Sequence, residues 1–465
     1  MMETKRFYDT HMHVFDLSHP NLSAFILKKD LIDSVIKSIK WWWRLLLVPV
    51  GALVGVLVGA LGAVCPNKLR DMIWWFLTKK DNNGKSSMDK ISDTLSFFEI
   101  PHEYQFLVMD ELLARNNPLN GLYDKIVLCP LIIDFGYKNL DRDGGNFNFS
   151  PKHPIAKQTG DLLYAIRTYY RFNLKIENGK LNLDREIPDW QTKKSEKQFE
   201  IYPFMGLDTR NYDEPKDIQK LLDKYFSKFS NEPAEERRKR LFEKAGTLSG
   251  NMYGDSEDYK AKNNGDVIDY SDAFAGIKVY PQLGFDPYPN DQEELKKVKC
   301  LYKTCIEKRI PIITHCSDGG YKTGDNDGLT SPDKWEKVLT NGFHNLTLNF
   351  AHFGSQKDKK TKWRNKIIDL TRTYPNVYTD ISCNDMKPEY YSSLEKDIRN
   401  SAHLREKVLF GSDFSINLLV TDTKQYSDNL RNFIESKNLS SSYKTDLCEV
   451  NPEVFLFGNT IKKIE

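Results

Sequence analysis

The chain has 465 residues, of which 40% are hydrophobic and 28% are charged, a composition typical of a folded globular protein. Its 67 basic and 65 acidic residues nearly cancel, so the charge gives no support to a nucleic-acid partner, which normally needs a basic surface. The length allows one large domain with insertions, or two domains.

Cysteine content and the amino terminus both favour a cytoplasmic protein. The seven cysteines are odd in number and include no CxxC pair, which argues against a disulfide framework and against a structural zinc knuckle. The amino-terminal stretch MMETKRFYDTHMHVF lacks the apolar core of a signal peptide. We therefore expect reduced thiols and a cytoplasmic location.

Eight short runs rich in Val, Ile, Phe and Tyr predict buried parallel strands, and most are bounded by Gly, Pro, Asn or Asp. Helical patterns lie between several of them, as at 292–309 and 362–374, and this alternation predicts a parallel sheet. Eight such strands predict an α/β fold closed into a (β/α)8 TIM-type barrel, with the whole chain, 1–465, forming one barrel. The eight runs are residues 5–15, 123–137, 199–210, 274–285, 310–320, 345–355, 376–383 and 406–416.

Three stretches interrupt the pattern and are predicted to be insertions on the barrel. Residues 138–198 are polar and rich in loop formers. Residues 209–272 carry a charged run that we interpret as a solvated helix face. Residues 30–100 contain a glycine-rich apolar segment, LLLVPVGALVGVLVGALGAVC at 45–65, that has no charged residue.

The composition of 45–65 indicates contact with a membrane or with a second subunit. About 20 apolar residues suffice to span a bilayer, and tryptophans, which favour the interface, flank the segment on both sides. A single crossing would separate the first strand from the other seven, and both flanks are basic, as cytoplasmic ends are. We therefore expect 41–77 to form a re-entrant or peripheral contact at the inner face of a membrane, or a homo-oligomer contact.

Histidines and one aspartate at the ends of predicted strands indicate a metal site. His11 and His13 lie two residues apart in the first strand, so their side chains point to the same side and can chelate one ion. His315, His352 and Asp413 end the fifth, sixth and eighth strands, and the carboxyl ends of barrel strands converge on one mouth. Imidazoles with a carboxylate suit Zn²⁺, or alternatively Mn²⁺ or Fe²⁺.

Two further residues near the strand ends carry less weight. Asp380, in YTDIS, is a weaker site candidate at the end of the seventh strand. Cys316 directly follows His315, so alternation points its side chain away from the site, and we interpret it as a small core residue.

The order of these residues and the sequence around them resemble the amidohydrolase superfamily. The resemblance lies in DTHMHVF, PFMGLDTR, GIKVYPQLGFDP, PIITHCSDGG, AHFGS, NVYTDIS, VLFGSDF and NPEVFLFGN. These segments are similar to the amidohydrolase-related branch, which holds decarboxylases of the aminocarboxymuconate-semialdehyde and resorcylate type, lactonases and other hydrolases. The similarity covers roughly 5–15, 123–137, 199–210 and 274–460, and it leaves the insertions unmatched.

The resemblance implies a role for each matching residue. His352 would be a catalytic acid or base, or would bind a second ion. Lys278 stands where some relatives carry a carboxylated lysine that bridges two metals, although a lysine that pairs with a carboxylate or binds an anionic substrate fits better. One ion is therefore expected, with two as the alternative. The ligands of that ion would be His11, His13, His315 and Asp413.

The expected activity is metal-dependent hydrolysis of a C–N or C–O bond in a small amide, lactone or ester. The ion would lower the pKa of water to about 7, Asp413 would accept the proton, and His352 would polarise the scissile group or protonate the leaving group. Arg210, after the third strand, and Lys278 are candidates for holding a substrate carboxylate or for structural ion pairs. Two alternatives are non-oxidative decarboxylation of a small carboxylic acid on the same site, and a catalytically inactive membrane-associated scaffold.

Overall fold

The structure is a computed structural model, and it describes ten parts of the chain. These are residues 4–14, 100–134, 155–177, 180–227, 233–248, 269–320, 326–357, 360–384, 388–419 and 423–458. The segment at 45–65, and with it the predicted contact through 41–77, lies outside these parts. Within them, no helix has both the length and the apolar character that crossing a bilayer requires.

The described residues form eleven strands, and every one of the eight predicted runs contains at least one. A short antiparallel hairpin, β3 with β4, stands apart from the others. The strands are β1 (Arg6–Met12), β2 (Lys125–Pro130), β3 (Leu174–Glu177), β4 (Lys180–Leu183), β5 (Phe199–Ile201), β6 (Phe204–Gly206), β7 (Gly276–Val279), β8 (Ile312–Thr314), β9 (Leu348–Phe350), β10 (Val377–Asp380) and β11 (Val408–Leu409).

The remaining nine strands pair in parallel in two ladders. The first ladder has the order β1–β2–β5, and the second runs from β6 through β7, β8, β9 and β10 to β11. β5 and β6 are two halves of the third predicted run, separated only by Tyr202 and Pro203. Proline has no backbone N–H to donate, which accounts for the break in the ladder at Pro203.

Backbone hydrogen bonds join the two ladders at both ends and close them into a barrel. Leu131, just after β2, bridges to Phe204 in β6, which continues the pairing past the break. On the other side, Thr10 N donates to Phe410 O at 3.1 Å and Asp413 N donates to His11 O at 2.7 Å, which joins the last strand to the first. The predicted eight-stranded (β/α)8 barrel is therefore confirmed.

The helices lie between the strands, as the alternation predicted. Two predicted helices, at 292–309 and 362–374, are observed with nearly the same bounds. The α-helices are α1 (Gln105–Arg115), α2 (Ile155–Arg171), α3 (Trp190–Lys193), α4 (Pro215–Tyr225), α5 (Ala234–Lys244), α6 (Gln292–Lys308), α7 (Asp327–Thr330), α8 (Pro332–Val338), α9 (Lys362–Thr373), α10 (Pro388–Asn400), α11 (Tyr426–Ile434), α12 (Ser441–Thr445) and α13 (Asn451–Phe457).

The hydrophobic core has two layers that leave one end of the barrel free for polar groups. Side chains such as Tyr8, Val127 and Ile313 form an inner cluster together with Phe455 and Phe457 of α13. A larger cluster fills the space between the strands and the surrounding helices. The predicted site residues follow the carboxyl ends of the strands, where barrels carry their functional side chains.

Candidate metal centre

An irregularity in β1 places two histidines side by side. The pairing of β1 with β2 shifts register between Asp9 and Met12, which identifies a bulge in the strand. His11 lies within this irregular stretch and His13 directly follows it. Both side chains are buried, and their ring centroids lie 5.3 Å apart.

Asp413 completes a three-residue group with these histidines. Its Oδ1 atom lies 3.5 Å from His11 Nε2 and 3.3 Å from His13 Nε2. Ligands of a tetrahedral zinc ion, each about 2.1 Å from the metal, lie roughly 3.4 Å apart. His11 Nε2 and Asp413 Oδ1 are buried and lack a hydrogen-bond partner among the described residues. These three residues could therefore hold a divalent ion.

Each imidazole is held in the tautomer that metal binding requires. His13 Nδ1 donates to the carbonyl oxygen of Leu131 at 2.8 Å, and His11 Nδ1 donates to Asp380 Oδ2 at 3.0 Å. With the proton on Nδ1, the lone pair of each ring lies on Nε2, the atom that faces Asp413. Such partners are what fix the orientation of metal-binding histidines in proteins.

Asp380 belongs to a second group that could also hold a metal, with His11 and His352. Its oxygens, however, already accept several hydrogen bonds, from Asn349 Nδ2 at 2.7 Å, His352 N at 3.0 Å and Ser382 N at 3.1 Å. The Ser382 hydroxyl donates to it as well. A carboxylate with this many donors orients its neighbours, so the group around Asp413 is the better metal site.

His315 and His352 face each other beside this group. His315 Nδ1 lies 3.1 Å from His352 Nε2. His352 Nδ1 donates to the carbonyl oxygen of Ser382 at 3.1 Å, so its Nε2 carries a lone pair directed at His315. His315 is thus not one of the residues grouped around Asp413 Oδ1. Its Nδ1 and His352 Nε2 instead form a separate nitrogen pair that could share a proton or a cation.

Two site residues adopt a backbone conformation that is uncommon for residues other than glycine. The φ angles of His352 and Asp413 are 62° and 57°. Such left-handed residues persist where the surroundings hold them, and they concentrate at functional sites. Gly411 permits the close approach of the β11 loop to β1, because a Cβ there would lie 2.6 Å from His11 Cβ.

Burial and charge set the ionisation of the site. Burial lowers the pKa of His11 to about 3 and also lowers the pKa of His315 and of His352. Burial opposes ionisation of Asp380 and Asp413, but the neighbouring imidazoles and hydrogen bonds outweigh it and hold the pKa of both carboxyls below its usual range. Neutral imidazoles with ionised carboxylates are the state in which these groups bind a metal.

Lys278, on β7, lies in the same cluster. Its side chain is 1% exposed, and its Nζ has no hydrogen-bond partner among the described residues. Burial lowers its pKa, whereas Asp380 and Asp413 raise it, and the result is about 8.

A family comparison matches the half of the barrel that carries most of these groups. Residues 271–457 match the family model described as amidohydrolase. This match covers less than half of the chain. The match includes Lys278, His315, His352, Asp380 and Asp413, and it confirms the resemblance seen in the sequence.

The solved structures that are similar to this chain share little sequence with it. A uronate isomerase from Bacillus halodurans C-125 is 14% identical with a TM-score of 0.38, over 98% of this chain and 94% of that one. A 4-oxalomesaconate hydratase from Rhodopseudomonas palustris is 12% identical with a TM-score of 0.36, over 80% and 91%. Amidohydrolase 2 from Bifidobacterium longum subsp. infantis is 14% identical with a TM-score of 0.28, over 41% of this chain and 63% of that one. None of the curated proteins matches the chain.

Arg210 forms a structural ion pair with Asp208. Its Nε and Nη2 atoms donate to the carboxylate of Asp208, and Nη2 also donates to the carbonyl oxygen of Leu283 at 2.7 Å. Asp208 is 2% exposed, so its buried negative charge depends on Arg210 for compensation. Of the two interpretations left open by the sequence, the contacts favour the ion pair over substrate binding.

The side chain of Cys316 is buried, and its thiol is directed at the carbonyl oxygen of Thr330, as expected of a core residue.

Replacing Arg210 by Met is expected to lower stability without affecting metal binding. The substitution leaves a buried carboxylate unpaired, and the free energy of unfolding should fall by about 3 kcal/mol. Arg372→Met, which breaks an exposed pair with Asp369, is the matched control and should cost at most about 1 kcal/mol. Urea denaturation measures both, and a loss of metal from Arg210→Met would contradict this interpretation.

Asp9 is a site residue that the sequence did not reveal. Its Oδ1 atom accepts from Ser412 N at 2.9 Å and from His11 N at 3.3 Å, and its Oδ2 accepts from Tyr426 OH at 3.1 Å. It thereby ties the strand that carries His11 to the loop that carries Asp413. Ser412 and Tyr426 lie 403 and 417 positions away in the chain, so no local sequence pattern indicates these contacts.

Removing the Tyr426 hydroxyl is expected to destabilise the protein, because Asp9 loses one of its hydrogen-bond donors. Tyr426→Phe leaves a fully buried carboxylate oxygen of Asp9 without its hydroxyl donor, which should cost about 1–3 kcal/mol of unfolding free energy. Tyr443→Phe, on α12 away from the site, is the control. Denaturation curves measure the effect, and equal stability of the two variants would show that Asp9 does not depend on Tyr426.

Proposed function

We propose that the chain is a metal-dependent hydrolase that cleaves a C–N or C–O bond in a small amide, lactone or ester. The observation that carries this proposal is the convergence of His11 Nε2, His13 Nε2 and Asp413 Oδ1 at separations that suit one divalent ion. Two of these buried atoms have no partner among the described residues, which is costly unless a ligand such as a cation satisfies them. Zn²⁺ is the ion that this donor set suits best.

Each residue of the centre has a separable task. A divalent ion bound there would lower the pKa of water and polarise the bond to be cleaved. Asp413 stays ionised and can take up a proton in the attack step. His352 presents the lone pair of Nε2 because its Nδ1 proton is held by the Ser382 carbonyl, so it can take over the proton that Asp413 received from the attacking water and pass it to the leaving group.

Non-oxidative decarboxylation of a small carboxylic acid is the alternative reaction for the same centre. In that reaction the proton held by His352 or Asp413 would go to carbon instead of to a leaving heteroatom. The two reactions differ in their products, because only decarboxylation releases CO₂. The third candidate, an inactive scaffold, would need no metal at all.

A substrate screen of the zinc-loaded protein tests the proposal. Lactones, amides, esters and aromatic acids are incubated with the wild type and with Asp413→Asn, and acid release and CO₂ release are followed in parallel. Metal-dependent acid release that disappears in the variant supports hydrolysis. CO₂ release with the same dependence would replace it by decarboxylation, and a metal-binding protein that turns over none of these compounds would count against both.

A further inference from the structure

The hydroxyl group of Ser382 contacts three residues of the candidate metal centre at once. Ser382 lies two residues beyond the end of β10, and its side chain is fully buried. Its Oγ atom is 3.1 Å from His11 Nδ1 and 2.9 Å from His352 Nδ1, and it donates to Asp380 Oδ1. Among the described residues, Oγ of Ser382 is the one atom that contacts Nδ1 of both histidines.

These three contacts determine the direction of each hydrogen bond. A serine hydroxyl has one proton to donate and two lone pairs that can accept, whereas an ionised carboxylate can only accept. The single proton of Ser382 therefore goes to Asp380, and both imidazoles must donate their Nδ1 protons to Oγ. The hydroxyl then uses its full capacity for hydrogen bonds, as a buried polar group should.

The shared contact links two histidines that have different tasks in the proposed function. With its proton on Nδ1, His11 directs the lone pair of Nε2 at Asp413, where the divalent ion would bind. His352 directs the lone pair of its own Nε2 toward His315 and can accept a proton there. A half-turn of either ring would bring a C–H group to Oγ of Ser382 and leave one of its lone pairs unused.

Each imidazole also has a second acceptor near Nδ1. For His11 this is Asp380 Oδ2 at 3.0 Å, and for His352 it is the carbonyl oxygen of Ser382 at 3.1 Å. Removal of the hydroxyl would therefore leave each ring with one acceptor. It would remove only the atom that the two rings share, so the effect on both histidines should appear together.

We propose that Ser382 is a positioning residue that holds His11 and His352 together in the tautomer with the proton on Nδ1. It thereby prepares the metal ligand and the acid–base residue, although it touches neither the ion nor the substrate. Partners behind metal-binding histidines contribute roughly 10- to 100-fold to metal affinity or activity. The proposal rests on the proposed function for the tasks of the two histidines, whereas the hydrogen bonds can be observed without turnover.

NMR of the zinc-supplied protein, labelled with ¹⁵N-histidine, tests the proposal. The Nδ1–H signals are assigned with His11→Gln and His352→Gln and are then compared in Ser382→Ala and Ser382→Cys. Cysteine nearly keeps the volume of the side chain, but its thiol is only a weak donor and acceptor. Ser427→Ala is the control, because it removes a buried hydroxyl that has no hydrogen-bond partner among the described residues.

In the wild type we expect an Nδ1–H signal from each of the two histidines. In both Ser382 variants, the two signals should shift and their protons should exchange faster with water, whereas Ser427→Ala should match the wild type. Zinc affinity should fall about tenfold in Ser382→Ala. With a substrate from the screen, kcat of this variant should also fall about tenfold while KM stays nearly unchanged.

Three results would overturn the proposal. These are an Nε2–H tautomer of either histidine in the wild type, a response of only one histidine to Ser382→Ala, and wild-type signals in Ser382→Cys, which would show that the side chain only fills space. Linked histidine signals in a wild type that turns over no substrate would remove the proposed function alone. Metal-dependent turnover with histidine signals that do not respond to Ser382→Ala would remove this proposal alone.

Discussion

Asp413→Asn is expected to abolish turnover and to weaken binding of a divalent ion by at least about 100-fold. The substitution keeps the size and shape of the side chain but removes the negative charge that lies within 3.5 Å of both His11 Nε2 and His13 Nε2. It also replaces an ionised ligand oxygen by a neutral amide oxygen, which divalent ions bind less strongly. Metal affinity is measured by competition with a chromophoric chelator, and turnover with the substrate that the screen identifies.

A matched control separates this effect from general damage to the protein. Asp291 caps α6 by accepting from Glu294 N at 2.8 Å, and Asn serves equally well at that position. Asp291→Asn should therefore keep the metal affinity and the stability of the wild type. An Asp413→Asn protein that binds zinc as tightly as this control would contradict the assignment of Asp413 as a ligand.

Asp380→Asn is expected to weaken metal binding by about 10- to 100-fold although Asp380 is not itself a ligand. Oδ1 of Asp380 accepts from His352 N and Ser382 N, and Oδ2 accepts from Asn349 Nδ2 and His11 Nδ1. Whichever way the Asn amide is turned, its NH₂ group meets donors. If the NH₂ group takes the place of Oδ2, it donates toward His11, and His11 Nδ1 must then accept a hydrogen bond instead of donating one.

That change would move the His11 proton to Nε2, the atom that faces Asp413, and so remove the lone pair that a metal needs. The same tautomer argument accounts for the large losses seen when a carboxylate behind a catalytic histidine is made neutral. Asp369→Asn, at an exposed position of α9, is the control. Equal zinc affinity in Asp380→Asn and this control would show that Asp380 does not set the tautomer of His11.

The fold could be predicted because its strands are marked locally. Each buried parallel strand is a short apolar run, and its ends are marked by turn-forming residues, so eight runs could be read one at a time. The break between β5 and β6 could not be placed in advance, because it depends on how Tyr202 and Pro203 sit against the neighbouring strand. The bulge in β1 could not be predicted either, because the register of a strand is defined only relative to the strand with which it pairs.

The candidate site could be predicted in part for the same reason. His11, His13 and Asp413 follow from strand ends, because the barrel brings those ends together whatever the loops contain. The separation of His315 from the group around Asp413 depends on its contact with His352, which only the three-dimensional arrangement reveals. Similarly, the sequence indicates Asp380 only weakly as a site residue. Its role depends on contacts with other strands, among them the hydrogen bond from Asn349, a buried residue in the middle of β9.

Elemental analysis of the purified chain is the direct test of whether His11, His13 and Asp413 together hold a divalent ion. Wild-type protein, His11→Ala and Asp413→Ala are prepared with metal supplied throughout. We expect about one divalent ion per chain in the wild type and loss of that ion in both variants. A wild-type protein without metal, or variants that retain the metal, would show that these residues do not form a metal site.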